Sequence, residues 1–182
     1  MKKLLSSKFY DNLKNVVFDR LENKNNKSIL ENVDWEQEAQ KCFTSLSTFF
    51  KNINIERLHT NGIDTIGVID ICWNEYGSDI EVDFMPNNDF DTAFDDGCIM
   101  NNSAIDNDNF FSLHFNTTGE ESWQKIGDDY QEIILIFYYL IEDIIEAITQ
   151  QKVFKNLPLK SPCHIGFASF HDEERTKIFT LV

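Results

Sequence analysis

Proline is scarce in this chain, with three residues in 182, and glycine contributes only seven. Those counts exclude collagen-like repeats and Pro- or Gly-rich linkers. Long apolar runs are missing as well: the longest uncharged one, residues 133–141, spans nine residues, against about 20 for a membrane-spanning helix. Met1-Lys2-Lys3-Leu4-Leu5 opens like a secretion signal. Ser6, Ser7 and Lys8 interrupt it before an apolar core of about 7–15 residues forms. Cys42, Cys72, Cys98 and Cys163 lie far apart and make no CxxC pair. The expectation is therefore reduced, buried thiols in a cytoplasmic protein.

The most informative absence is positive charge. Residues 1–57 carry ten Lys/Arg against eight Asp/Glu, and residues 125–182 carry six against nine. Residues 58–124 carry fourteen Asp/Glu and neither a lysine nor an arginine. The net charge of −15 is thus concentrated in one stretch. Like charges on one surface repel and destabilise a fold, and scattered lysines would relieve them. A surface left unrelieved suits a positively charged partner, because complementary potentials speed association and exclude wrong partners. Nucleic acid and anionic membrane are disfavoured, since their phosphates would be repelled.

Apolar residues make up 42% and aromatics 13%, with sixteen phenylalanines, so the chain has material for a real core and reads as one globular domain, residues 1–182. Phe9, Leu13, Val16, Val17 and Leu21 share one face of a helix over 7–22. Residues 22–28 (ENKNNKS) read as a polar break. A second helix starts near Asp34, with Gln37 three residues on, a capping-box-like pair. Its stripe is Trp35, Ala39, Cys42, Phe43, Leu46, Phe49, Phe50 and Ile53. The period then changes to two: 63–73 and 80–84 read as a hairpin closed around Tyr76-Gly77-Ser78 and ended by Pro86. Residues 87–109 show no period and read as a long loop. Phe111, Leu113 and Phe115 alternate, predicting a third strand over 110–115. The strongest helix spans 128–150, capped by Asp128, with Ile136, Phe137, Leu140 and Ile144 in the core against Trp35, Phe43 and Leu46. Residues 164–170 and 176–181 close the chain as a hairpin around 171–175. The order α-α-β-β-β-α-β-β predicts an α+β fold: a mainly antiparallel sheet of about five strands packed with three helices.

Chemistry-bearing motifs are few. No register of Asp89, Asp91, Asp106 and Asp108 satisfies the Asp, Gly and Glu positions of an EF-hand loop. His171 with Glu174, and Cys163 beside His164, fall short of the three or four ligands a zinc site needs. GxSxG, P-loop and GxGxxG motifs are all missing. Cys98 lies among acids that would raise its pKa and blunt it as a nucleophile. No metal, cofactor or catalytic residue is therefore expected. Tyr76, Phe90, Phe94 and Ile99 are apolar residues within the acidic stretch, placed either to tuck the loop onto the core or to anchor a partner, since interface hot spots tend to be aromatic with polar rims.

In size, acidity, cysteine usage, α+β patterning and lack of catalytic motifs, the chain resembles the bacterial immunity proteins of polymorphic-toxin and contact-dependent inhibition systems. The resemblance is to the class as a whole, with no motif placed residue by residue. It implies a cytoplasmic, non-enzymatic protein that binds and neutralises one toxin domain, often a basic nuclease. Mapped onto the acidic stretch, the expected contact residues are Glu75, Asp79, Glu81 and Asp83 on or near the hairpin, and Asp89, Phe90, Asp91, Phe94, Asp95 and Asp96 in the loop. Two other readings fit the charge: a DNA-mimic inhibitor of a nucleic-acid-binding enzyme, and a small acidic enzyme of the two-carboxylate type.

Overall fold

The computed structural model describes residues 3–74, 79–93, 103–169 and 175–182. The chain opens with α1 (Ser7–Asn12), which runs through a π-helical turn (Leu13–Val17) into α2 (Phe18–Arg20). Phe9, Leu13 and Val17 are buried, so the predicted stripe is the one that faces inward. The polar break anticipated at 22–28 is instead helix α3 (Lys24–Glu31). Asn23 caps it by accepting from the backbone N–H groups of Asn25 and Asn26, and Leu30 is buried beneath it. A helix with so few apolar residues shows no stripe, and only its cap betrays it.

Next come α4 (Trp35–Lys51) and the short α5 (Ile55–Thr60). The Gln37 N–H donates to the Asp34 carboxylate at 3.1 Å, the cap read from the sequence. Strands β1 (Ile66–Asn74) and β2 (Asp79–Met85) form the anticipated antiparallel hairpin, with Ile69 opposite Phe84 and Ile71 opposite Val82. A three-residue β3 (Ser103–Ile105) pairs antiparallel with β2.

Residues 110–115 are the clearest departure from expectation: they lie in helix α6 (Asp108–Phe115), not in a strand. Asp106 accepts from the Asp108 N–H at 2.8 Å where the helix starts, and Asn116 ends it in the left-handed region at φ 51°, a conformation Asn tolerates. Helix α7 (Gly119–Ile126) follows, then a 3₁₀ turn (Gly127–Asp129) that leads into α8 (Tyr130–Thr149). Asp128 therefore does not cap α8, which starts two residues later than expected. The chain finishes with α9 (Lys152–Lys155), β4 (Leu159–Ser169) and β5 (Thr176–Leu181).

The sheet order is β3-β2-β1-β4-β5. Three of its pairings are antiparallel, and β1 runs parallel to β4 at the centre. The architecture is thus α+β with a mostly antiparallel five-stranded sheet, but with more helices than the three expected. One sheet face carries Ile69, Ile71, Trp73, Ile80, Val82 and Phe84 into the helical layer. There the Phe137 ring of α8 lies 5.2 Å from both Trp73 and Phe110, and Trp35 reaches the same cluster through Phe110 at 5.9 Å. Phe84 stacks on Phe49 of α4. Ile136, Phe137, Leu140 and Ile144 are buried as expected, with Trp35 and Leu46, while Phe43 is only partly buried. Complete burial of such side chains stabilises by about 1.5–3 kcal/mol each.

The opposite sheet face is covered too. Val68, Met85, Phe90 and Ala93 form a second apolar cluster there. Gly67 permits it: a Cβ at this position would run into the backbone of Asn87 and Asn88. The turn at 87–93 can therefore lie flat on β1 only because residue 67 has no side chain.

Candidate functional site

The second sheet face holds a row of acids that the alternating pattern of β1 and β2 brings together. Asp70 on β1 is the direct cross-strand partner of Asp83 on β2, and Cys72 pairs likewise with Glu81. Asp70 is fully buried, Asp83 is 3% exposed and Glu81 is 9% exposed. Carboxylates directly opposite one another repel, and burial disfavours their charge. Arg175, just before β5, supplies a counter-charge: its Nε donates to Asp70 Oδ2 at 2.9 Å. Asp70 Oδ1 has no hydrogen-bond donor among the described residues. Burial is the largest influence on Asp70 and raises its pKa, and Arg175 partly opposes that rise.

The thiol of Cys72 is pushed up to about 12, by burial first and then by Asp70. Cys42 and Cys163, buried like Cys72 and likewise free, are raised to about 12 by the same desolvation. None of these thiols is activated as a nucleophile. Cys98 lies outside the described residues.

The expected contact residues divide into three groups. Glu75, Phe94, Asp95 and Asp96 lie outside the described residues. Glu81, Asp83 and Phe90 belong to the interior. Glu81 accepts from the Asn74 side-chain amide at 2.9 Å. Phe90 is only 8% exposed; its ring packs about 3 Å from where a Cβ would sit on Gly166, meets His164 edge-on, and carries the Lys177 ammonium 4.9 Å above it. Phe90 thus tucks the loop onto the sheet and does not stand out as an anchor. Asp79 is partly exposed at the start of β2, and Asp89 and Asp91 are exposed. There the Asp89 carboxylate accepts from the Asp91 N–H at 3.2 Å, shaping the turn.

Among the described residues, Asp64, Asp106, Asp108 and Glu121 of this stretch are exposed as well. Two apolar side chains of the same stretch escape burial: Leu113 on α6, 68% exposed, and Trp123 on α7, 47% exposed. The sequence pattern puts Leu113 on one strand face with Phe111 and Phe115 when 110–115 is read as a strand, and it offers no sign of Trp123. On a helix, Phe110, Phe111 and Phe115 turn inward and Leu113 turns out. The asparagines and aspartates at 106–109 were the available clue to a helix start.

Two polar features elsewhere are structural. An open notch of about 360 Å³ is lined by Glu22, Asn23, Ile126, Asp128 and Asp129. Its buried Asp129 carboxylate is occupied by the N–H groups of Glu22 and Asn23 and by the Asn26 amide. His114 lies 3.9 Å from Glu38, with its pKa lowered by burial, while Glu38 is engaged by Lys41 at 2.7 Å. Among the described residues no group of three or more His, Cys, Asp or Glu could hold a metal ion, and no helix is long and apolar enough to cross a membrane. No protein-family model matches this chain, and neither a curated protein nor a solved structure matches it.

Proposed function

We propose that this chain is an immunity protein: a non-enzymatic cytoplasmic binder that neutralises a basic toxin domain, most simply a nuclease. The observation that carries the reading is the base-free stretch 58–124 together with where its acids go. Asp64, Asp89, Asp91, Asp106, Asp108 and Glu121 are turned to solvent and have no lysine or arginine within the stretch to neutralise them. A nuclease surface is positive because it handles phosphates. An acidic surface complements it, competes with its substrate, and steers capture at rates up to about 10⁸–10⁹ M⁻¹s⁻¹.

Among the described residues, the Asp70–Asp83 pair is the feature that favours a two-carboxylate enzyme instead. Burial argues against it: Asp70 is ion-paired with Arg175, and a substrate would have to reach carboxylates with almost no exposed surface.

The test is association kinetics against the C-terminal domain of the protein encoded immediately upstream, at low and high salt. Asp89→Lys with Asp91→Lys is expected to slow association about tenfold or more at low salt and to flatten its salt dependence, with little change in dissociation. An association rate for the double variant equal to wild type at both salt concentrations would remove the 87–93 turn from the interface. A wild-type chain that neither binds the domain nor protects cells from it would overturn the immunity reading.

A further inference from the structure

We infer that Phe90 and Lys177 are positioning residues for the acidic turn at 87–93. The ring pins the turn to the second sheet face, the ammonium holds the ring, and Asp89 and Asp91 are thereby fixed toward a basic domain. The inference rests on the immunity reading and adds what orders its contact surface.

The turn has an inner and an outer side. Phe90 and Ala93 are buried in one cluster with Val68 and Met85, while Asp89, Asp91 and Thr92 are exposed. Its own hydrogen bonds set that division. The Asp89 N–H donates to Asn87 Oδ1 at 3.0 Å, the Asn87 amide to Thr92 Oγ1 at 3.2 Å, and the Ala93 N–H to the Asp89 carbonyl at 2.8 Å. Two bare positions on neighbouring strands make the seat. Gly67 of β1 admits the Asn87 and Asn88 backbone, and Gly166 of β4 leaves room for the Phe90 ring. Lys177 of β5 stands 4.9 Å from the centre of that ring, and His164 of β4 meets it edge-on. His164 Nδ1 is itself 3.0 Å from Thr180 Oγ1 on β5.

By charge alone, Lys177 is out of place. A cation beside an acidic contact surface weakens its pull on a basic partner, and residues 58–124 supply none of their own. Lys177 reaches the turn from outside that stretch and lies on the Phe90 ring. A cation over an aromatic face is attracted to it and holds it in place. A turn seated by a four-residue cluster, with water on its other side, belongs to the low-stability end of a fold. Such contacts then decide how much of the time it is seated. The seated fraction presents both acids together, and apparent affinity scales with that fraction. Charge and position therefore predict opposite signs for the loss of Lys177.

The experiment measures association and dissociation with the C-terminal domain of the upstream-encoded protein, at low and high salt. The variants are Lys177→Met, Lys177→Arg, Phe90→Ala and Asp89→Lys with Asp91→Lys, each confirmed folded by its melting curve. Lys177→Met makes the chain one unit more negative, which by charge alone should speed association. It is expected instead to slow association about two- to fivefold, the scale of an exposed cation–π contact, and Lys177→Arg should restore it. Phe90→Ala leaves the charge unchanged. It is expected to slow association about tenfold, as for a turn seated about a tenth of the time, with the salt dependence kept. Adding Phe90→Ala to the aspartate variant should then lose little more, because both act through one turn. Lys177 is exposed, so its variants decide the matter even if Phe90→Ala fails to fold. If the wild type binds and Lys177→Met associates as fast or faster, the inference falls and the proposed function stands. Losses from Phe90 and from the aspartates that simply multiply would overturn it too, as would an aspartate variant that binds like wild type. Absence of wild-type binding overturns both the inference and the function.

Discussion

Replacing Arg175 by glutamine tests the electrostatics of the acidic sheet face directly. The substitution removes the cation 2.9 Å from a carboxylate that is itself fully buried. Breaking a buried pair in this way leaves an uncompensated charge, which typically costs about 3–5 kcal/mol. A ceiling exists, because Asp70 can escape by taking up a proton. With an unfolded reference near 3.9, holding the carboxyl neutral costs about 4 kcal/mol at pH 7 and about 1.5 kcal/mol at pH 5.

The sign follows from linkage. Burial raises the folded-state pKa of Asp70 above its unfolded value. Its stability contribution is therefore fully present below the unfolded pKa and is lost as pH rises through the folded one. Arg175 opposes the rise, so Arg175→Gln should extend that loss to higher pH. The variant is expected to be destabilised by as much as about 4 kcal/mol at pH 7, and to recover by up to about 1.4 kcal/mol for each unit the pH is lowered toward 5. The assay is urea unfolding of wild type and variant from pH 5 to 8, following midpoint and slope together. Adding Asp70→Asn to Arg175→Gln should abolish most of the difference in pH dependence. The neighbouring carboxylates on this face, Asp83 and Glu81, are retained in both variants and serve as the common background. A loss below about 0.5 kcal/mol at pH 7, or one constant across the pH range, would refute the argument that Arg175 compensates a buried charge.

Gly67→Ala is expected to lift the 87–93 turn from β1, because the new methyl meets the Asn87 and Asn88 backbone; a loss of about 1–3 kcal/mol in urea unfolding checks it. Asp129→Ala should cost about 3 kcal/mol in the same assay by stranding the Glu22 and Asn23 N–H groups and the Asn26 amide, and Asp129→Asn should cost less because it keeps an acceptor.

The parts of the fold that were legible in the sequence are those where one period is unambiguous. The α4 stripe needs 3.6, and Ile80-Glu81-Val82-Asp83-Phe84 needs two. Residues 110–115 satisfy both periods, and the choice between them decides whether Leu113 is core or surface. Helix α3 was hidden because its stabilisation lies in the Asn23 cap and in Asn26 reaching Asp129, neither of which makes an apolar pattern. The charge excess was legible as a count, but not its division into inside and outside. Alternation places Asp83 opposite the Val82 face without revealing that both faces are covered. Pairing of Asp70 with Arg175 joins residues 105 apart, beyond the reach of any local pattern. The place of Phe90 was illegible for a related reason: its ring lies against Gly166, 76 residues on, while Gly67 makes room for the Asn87 and Asn88 backbone of the same turn.

The parallel pairing of β1 with β4 has a consequence for synthesis. Val68 meets His164 across that pairing, so β1 emerges from a ribosome well before the strand that covers its open edge. At about 5–20 residues per second the roughly 90 intervening residues take on the order of ten seconds. A β1–β2 hairpin formed in that interval would have one unpaired flank, the kind of template that invites wrong partners. Its acids would then act against aggregation: Asp70, Glu81 and Asp83, buried in the finished fold, would first keep neighbouring nascent hairpins apart by repulsion. Neutralising them would be expected to lower soluble yield more than it lowers the stability of the finished protein.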